Sequence, residues 1–364
     1  MTDSRSENTF LYNARGAACI MVVFIHCMFP GRFGGAVQAL ARFAVPLFFA
    51  MSGYFLVGSK GCGTDSETIR NTCVKRLKAL LGTTAFVWLV YTLYSMIIRI
   101  ISGQDPLLLF KEKFAPAELV RFFLFGSGRI VYDPEYSYDF MWYLFAMIYV
   151  YLFVYAAAGI IGRIWKPVCL ILLCFLYGGI ILQIRYPVQI FGISIRTWYV
   201  LRNWLFVGIP FFLLGYGFRR TGKDTGKPGS IAAALMIAAG AVCEIAGYLR
   251  FGPHEIHAGS LLIVAGCLTA AGNDRGVKLP FLYRTGRYYA GGVYYWHVLV
   301  LSVFTRCFAY FYLKAEAGLG ETALRFWNGV YPYFLPLIIC LLTLLLTAAV
   351  QKKESLLQIF HIRL

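Results

Sequence analysis

"FMWYLFAMIYVYLFVYAAAGIIG" fills residues 140–162 without a single charged side chain. At a rise of about 1.5 Å per residue, such a run is long enough to cross the roughly 30 Å hydrocarbon core of a bilayer. In hydrocarbon, a helix is the one single-segment structure that satisfies its own backbone. "LLGTTAFVWLVYTLYSMII" (80–98) and "YFLPLIICLLTLLLTAAV" (333–350) make the same point on either side. The 364 residues are 59% hydrophobic and only 14% charged, which excludes an ordinary soluble domain. The predicted fold class is all-α, a polytopic transmembrane helical bundle.

A window of about 19 residues divides the chain into roughly ten spans. They cover residues 11–30, 36–58, 79–101, 139–162, 167–184, 199–218, 230–250, 256–272, 287–312 and 329–350. Alternating sides puts 19 Lys and Arg on the side of the N-terminus and 10 on the other, with Arg15, Arg42, Arg99, Arg202 and Arg306 inside spans. Basic residues stay in the cytoplasm, so both termini are expected there, and the expected location is the cell membrane. The polar start "MTDSRSENTF" lacks the form of a signal peptide, so the first apolar run is expected to be a retained helix. Residues 1–364 are read as one integral-membrane domain with no soluble domain appended.

The net charge of +17 raises the possibility of nucleic-acid binding. The basic residues fall instead in short blocks between apolar runs, as topology arranges them. Ten cysteines, among them Cys62, contain no CxxC pair, so neither a disulfide framework nor a metal site is expected. The segment 102–138 mixes acids and bases, including Lys111, Glu112, Asp133 and Glu135. Its middle, "ELVRFFLFGSGRIVY", is apolar enough to lie along the membrane interface.

Four ionisable groups inside spans need an explanation, because charge in hydrocarbon is expensive. Arg15 sits where snorkelling is cheap, and His26 lies about 16 Å deeper, near the midplane. His297, in "YYWHVLVL", enters from the same side and reaches about 15 Å. Glu244, in "AAGAVCEIAGYL", reaches about 21 Å, and its simplest role is to pair with Arg202 or Arg306. A lone histidine can merely bond a neighbouring helix, but this combination is a candidate catalytic or transport site. Arg70, Lys75, Arg76 and Lys78 cluster at the entry to the third span. They read as retained positive charge or as a phosphate-binding lip for an anionic cosubstrate. In "RFAVPLFFAMSGYFLVG" (42–58), Pro46 predicts a kink and Ser52–Gly53 a close helix approach.

These residues resemble the acyltransferase 3 family of integral-membrane acyltransferases. Arg15 and His26 match its R-X10-H motif, "FAVPLFFAMSGYFL" its second-helix segment, and "MWYLFAMIYVY" (141–151) its tryptophan-bearing helix. The resemblance implies transfer of an acyl group, usually acetyl, from cytoplasmic acetyl-CoA to a hydroxyl of a cell-surface glycan or lipid-linked saccharide. Such an O-acetylation would use Arg15 and His26 as motif residues, with His297 or Glu244 orienting them. Arg15, Arg70, Lys75 and Arg76 would meet the CoA phosphates. Membrane lipids are the other expected partners, and a homo-oligomer is compatible with this reading. A second reading is uptake of an amino acid or small solute, as implied for similar membrane domains fused to racemases.

Overall fold

The computed structural model describes residues 7–56, 65–131, 133, 140–186, 189–190, 193–194, 198–222, 226–316 and 321–352. Cys62, Glu135 and Lys353 lie outside the described residues.

Each apolar run contains helix, and the helices run α1 (Thr9–His26), α2 (Gly31–Ala41), α3 (Ala44–Tyr54), α4 (Ser66–Ile101), α5 (Leu108–Lys113) and α6 (Pro116–Phe125). They continue as α7 (Trp142–Ala157), α8 (Ile161–Arg185), α9 (Trp198–Leu201), α10 (Ile209–Thr221), α11 (Gly226–Phe251) and α12 (Gly259–Gly272). The series closes with α13 (Pro280–Arg284), α14 (Ala290–Glu316) and α15 (Glu321–Lys352). Wide π-helical turns, Trp204–Gly208 and Thr285–Tyr289, lead into α10 and α14. Six of the described helical stretches are long and apolar enough to span a bilayer. The apolar helices α7 and α12 are shorter, at 16 and 14 residues.

Three boundaries depart from the hydropathy reading for physical reasons. α4 begins at Ser66, well before residue 79, because the Asp65 carboxylate accepts from the Thr68 N–H and starts the helix in polar sequence. At 36 residues it measures about 54 Å, so its basic first turns extend past the apolar span. The expected second span is broken into α2 and α3 at Arg42–Phe43. Pro46 has no N–H for the carbonyl four residues back, that of Arg42, which places the break there. α1 stops at His26 instead of running to residue 30: the Cys27 N–H bonds Val23 O, and the backbone of Cys27 is extended.

Small residues set the closest crossings. A Cβ on Gly53 would lie 1.9 Å from Phe212 O, and one on Gly215 would lie 1.8 Å from Ala50 O, so α3 and α10 touch backbone to backbone. α1 meets the α13–α14 corner in the same way, through Gly16 at Leu282 O and Gly286 at Tyr12 O. α11 and α12 form an antiparallel hairpin closed by Gly240 and Gly259.

The segment after α4 folds back over the bundle. Arg99 and Arg129 hold Glu112 at 2.7 and 3.0 Å, Lys113 pairs with Asp133 at 3.1 Å, and Trp88 donates to Ile130 O. Donation from Arg99 holds the Glu112 carboxyl below the ordinary range. α6 buries none of its residues and turns Val120, Phe123 and Leu124 outward, as an interfacial helix requires.

Candidate functional site

Ten residues separate Arg15 from His26, an offset of eleven positions or about three turns of α1, so both lie on one face with Cys19 and Val22 between them. The Cys19 thiol donates to Ala290 O at 3.5 Å, so this face looks onto the start of α14. His297 lies two turns into α14, and its ring comes to 5.1 Å from that of His26, centroid to centroid, with the planes at 44°. The matched depths of the two histidines therefore correspond to contact. His26, as the last helical residue, stands where α1 ends and not midway along a longer helix.

The tautomer of His297 follows from its partners. Nδ1 lies 2.8 Å from Tyr294 O and 3.1 Å from Val293 O. Carbonyls only accept, so Nδ1 carries the proton and Nε2 the lone pair. Nε2 is buried and makes no hydrogen bond among the described residues. The edge of Phe140 packs against the ring at 5.5 Å, and the Tyr294 hydroxyl donates to Phe140 O.

α14 is opened beside this histidine. The Tyr91 hydroxyl donates to Tyr295 O at 2.8 Å and accepts from the Leu299 N–H at 2.9 Å. Those two backbone groups would otherwise bond each other, so a side chain of α4 is inserted into the ladder of α14 around His297. Tyr91→Phe removes both bonds and returns the two backbone groups to each other, so it should cost about 0.5–1.5 kcal/mol of stability. Tyr295 is the opposite case: its hydroxyl is buried and has no hydrogen-bond partner among the described residues. Tyr295→Phe should leave the melting temperature unchanged or raise it. Thermal melts of the two variants check this pair of expectations.

A cavity of about 380 Å³ opens beside His26, at the end of the bundle where α1 finishes and α11 turns into α12. Its wall includes Gln38, Arg42, Pro46, Trp142, Arg202 and Glu255. Arg42 and Arg202 both donate to one oxygen of Glu255, at 2.7 and 3.0 Å, and the Arg202 guanidinium lies over the Trp142 ring. Burial would push the Glu255 carboxyl up, but the two guanidiniums overcome it and hold the group below the ordinary carboxylate range. The charges of both arginines also reach His26.

Arg202 thus pairs with Glu255 and not with Glu244. The Glu244 side chain is fully enclosed between α11 and α12, where Ser260 donates to it at 2.5 Å, and it does not line the cavity. The basic cluster is divided as well. Arg76 turns inward and donates to Ser52 O, Phe55 O and the Tyr151 hydroxyl, which ties up the last carbonyls of α3. Arg70 and Lys75 remain exposed, Arg70 lying over the Tyr155 ring. Arg76→Ala should lower the melting temperature, by about 1–3 kcal/mol of stability, and Lys75→Ala should not. Arg15 is half-buried and has neither an ion pair nor a hydrogen bond among the described residues; its charge reaches the hydroxyls of Tyr143 and Tyr295. No cluster of three metal-ligating side chains occurs among the described residues.

Sequence reasoning did not assign Arg42, Arg202 or Glu255 to a common site. They come from three distant segments, and no spacing links them. Proline 46 gave part of the signal, since the kink it causes puts Arg42 at the wall.

A family model described as an acyltransferase domain, that of the acyltransferase 3 family, matches residues 8–350. Comparison with curated proteins and with solved structures gave no match. With one match over nearly the whole length, and six helices able to span a bilayer, the chain belongs to the acyltransferase 3 family of integral-membrane acyltransferases.

Proposed function

We propose that the protein carries an acyl group, acetyl in the first instance, from acyl-CoA at the Arg15 end of the bundle to a hydroxyl at the cavity end. In the cell these ends would be the cytoplasm and the outer face, and the acceptor a cell-surface glycan or lipid-linked saccharide. The observation that carries this reading is the His26–His297 pair, 5.1 Å apart at the point where the cavity meets the Arg15-bearing face of α1.

The donor side offers groups that suit CoA. Arg70 and Lys75 are exposed cations for its phosphates. Further in, the Arg15 guanidinium is half-buried and the Tyr295 hydroxyl is buried, and neither has a hydrogen-bond partner among the described residues, which is costly for the buried hydroxyl. The phosphates and amide oxygens along the donor would compensate them. The donor supplies an activated thioester carbon.

His26 lines the cavity, so it is the imidazole an entering hydroxyl meets first. Its lone pair takes the hydroxyl proton as the oxygen bonds to the thioester carbon, and the same proton then goes to the departing sulfur. His297, with Nδ1–H fixed on two carbonyls, keeps an Nε2 lone pair for the imidazolium that forms on His26. Phe140 and Tyr294 pack against the His297 ring and hold it in place beside His26.

The test is transfer across a membrane. Purified protein in proteoliposomes receives radiolabelled acetyl-CoA outside and a saccharide acceptor inside. Label on the enclosed saccharide is the expected result. Entry of unmodified solute with no covalent label would establish uptake in its place.

A further inference from the structure

The imidazole pair is bordered on one side by the cavity, whose wall carries the amide of Gln38 and the charged groups of Arg42, Arg202 and Glu255. On another side it is bordered by aromatic rings. Phe140, only 2% exposed, sets its ring 5.5 Å from that of His297 at 76°. The Tyr294 ring lies 6.1 Å from the same histidine, and Tyr143 closes on Tyr294 at 5.5 Å. Phe140 also lines the cavity, so it stands where the aromatic wall begins.

The wall is fixed from two helices at once. The Phe140 ring packs 4.8 Å from that of Tyr91, the side chain of α4 inserted into the ladder of α14. Its carbonyl accepts from the Tyr294 hydroxyl on α14. A close-packed wall of this kind yields little to an added group.

A thioester carbon at the histidines has its sulfur toward the Arg15 face and meets its hydroxyl from the cavity. The acyl tail needs a third direction. In the cavity, an apolar tail would take the acceptor's place and strip water from charged groups without bonding them. That leaves the aromatic wall. We propose that Phe140, backed by Tyr294, sets the length of the acyl group: the donor is a short-chain acyl-CoA whose methyl rests on the Phe140 ring, and longer chains are shut out by it. This rests on the acyl-transfer reading above and names the class of donor. Phe140 is a specificity-determining residue on this account.

The test is binding, which needs no acceptor. Coenzyme A, acetyl-CoA, butyryl-CoA and hexanoyl-CoA are each titrated into the purified protein by calorimetry. The wild type should bind acetyl-CoA roughly tenfold or more tightly than butyryl-CoA, and hexanoyl-CoA no better than butyryl-CoA. Phe140→Ala should invert that order, the longer thioesters gaining about tenfold over acetyl-CoA as their methylenes fill the vacated space. Phe140→Leu removes less volume and keeps an apolar side chain for the fold; it should admit butyryl-CoA and still disfavour hexanoyl-CoA. Phe211→Leu changes a buried phenylalanine of α10 that does not line the cavity, and it should leave the wild-type order intact. A purely structural Phe140 would weaken all four ligands by one factor in its variants, and that result would overturn the proposal. So would a wild type that binds the three thioesters equally or prefers the longest. A wild type that binds neither coenzyme A nor any thioester would instead overturn the acyl-transfer reading itself.

Discussion

His26→Ala protein is expected to fold, insert and bind donor, yet to transfer acyl groups some 10²–10⁴-fold more slowly than wild type. The imidazole is the last side chain of α1 and lines the cavity, so its removal takes no backbone hydrogen bond from the helix. The backbone there is fixed independently by Cys27 N–H on Val23 O and by the glycine contacts of α1 with the α13–α14 corner. What is lost is the group that meets the acceptor hydroxyl. His297→Ala should give a deficit of similar size, and the double variant little more than either alone, because the two rings act as one unit. Labelled transfer by the four proteins at matched expression tests this. Near-normal transfer by His26→Ala would remove the histidine from the mechanism.

Gly53→Val and Gly215→Val are expected to be the most damaging substitutions to the fold. Overpacking a core ordinarily costs about 1–3 kcal/mol, because neighbouring side chains can shift. Here the obstruction is backbone: the added Cβ meets Phe212 O at 1.9 Å or Ala50 O at 1.8 Å. Relief requires α3 and α10 to separate along their crossing. α3 carries Pro46, and the turn before α10 carries Val207, both at the cavity wall, so separation also disrupts the site. Both variants should give little folded protein on size-exclusion chromatography. Gly82→Ala is the control: no atom lies within 4 Å of its Cβ, and alanine gains about 0.5–1 kcal/mol over glycine within a helix. Unchanged yield for Gly53→Val would contradict the close crossing.

Much of this was legible in the residues. Runs such as 80–98 and 333–350 can only be helices in a membrane, and Ser52–Gly53 announced the crossing that Gly53 makes with Phe212. The depth argument for His26 and His297 worked because rise per residue is constant from a common face. Helix ends were less legible, since a hydropathy window detects apolar content and α4 starts in polar sequence at an aspartate cap. The fate of individual charges was least legible. Arg76 looked like one of four exposed cations until α3 ended within its reach, and Glu244 looked like a partner for arginine until α12 brought Ser260 to it. The Arg42–Glu255–Arg202 group depends on three chain segments meeting, which composition and spacing do not encode.

The central claim is that the His26–His297 pair is where the acyl group changes hands, with the donor reaching it along the Arg15 face of α1. The most direct test is an experimental structure of the protein with coenzyme A bound. The account predicts density for its arm passing Arg15 and Tyr295, with the sulfur in contact with the two imidazoles. Coenzyme A bound with its sulfur away from both histidines would contradict it.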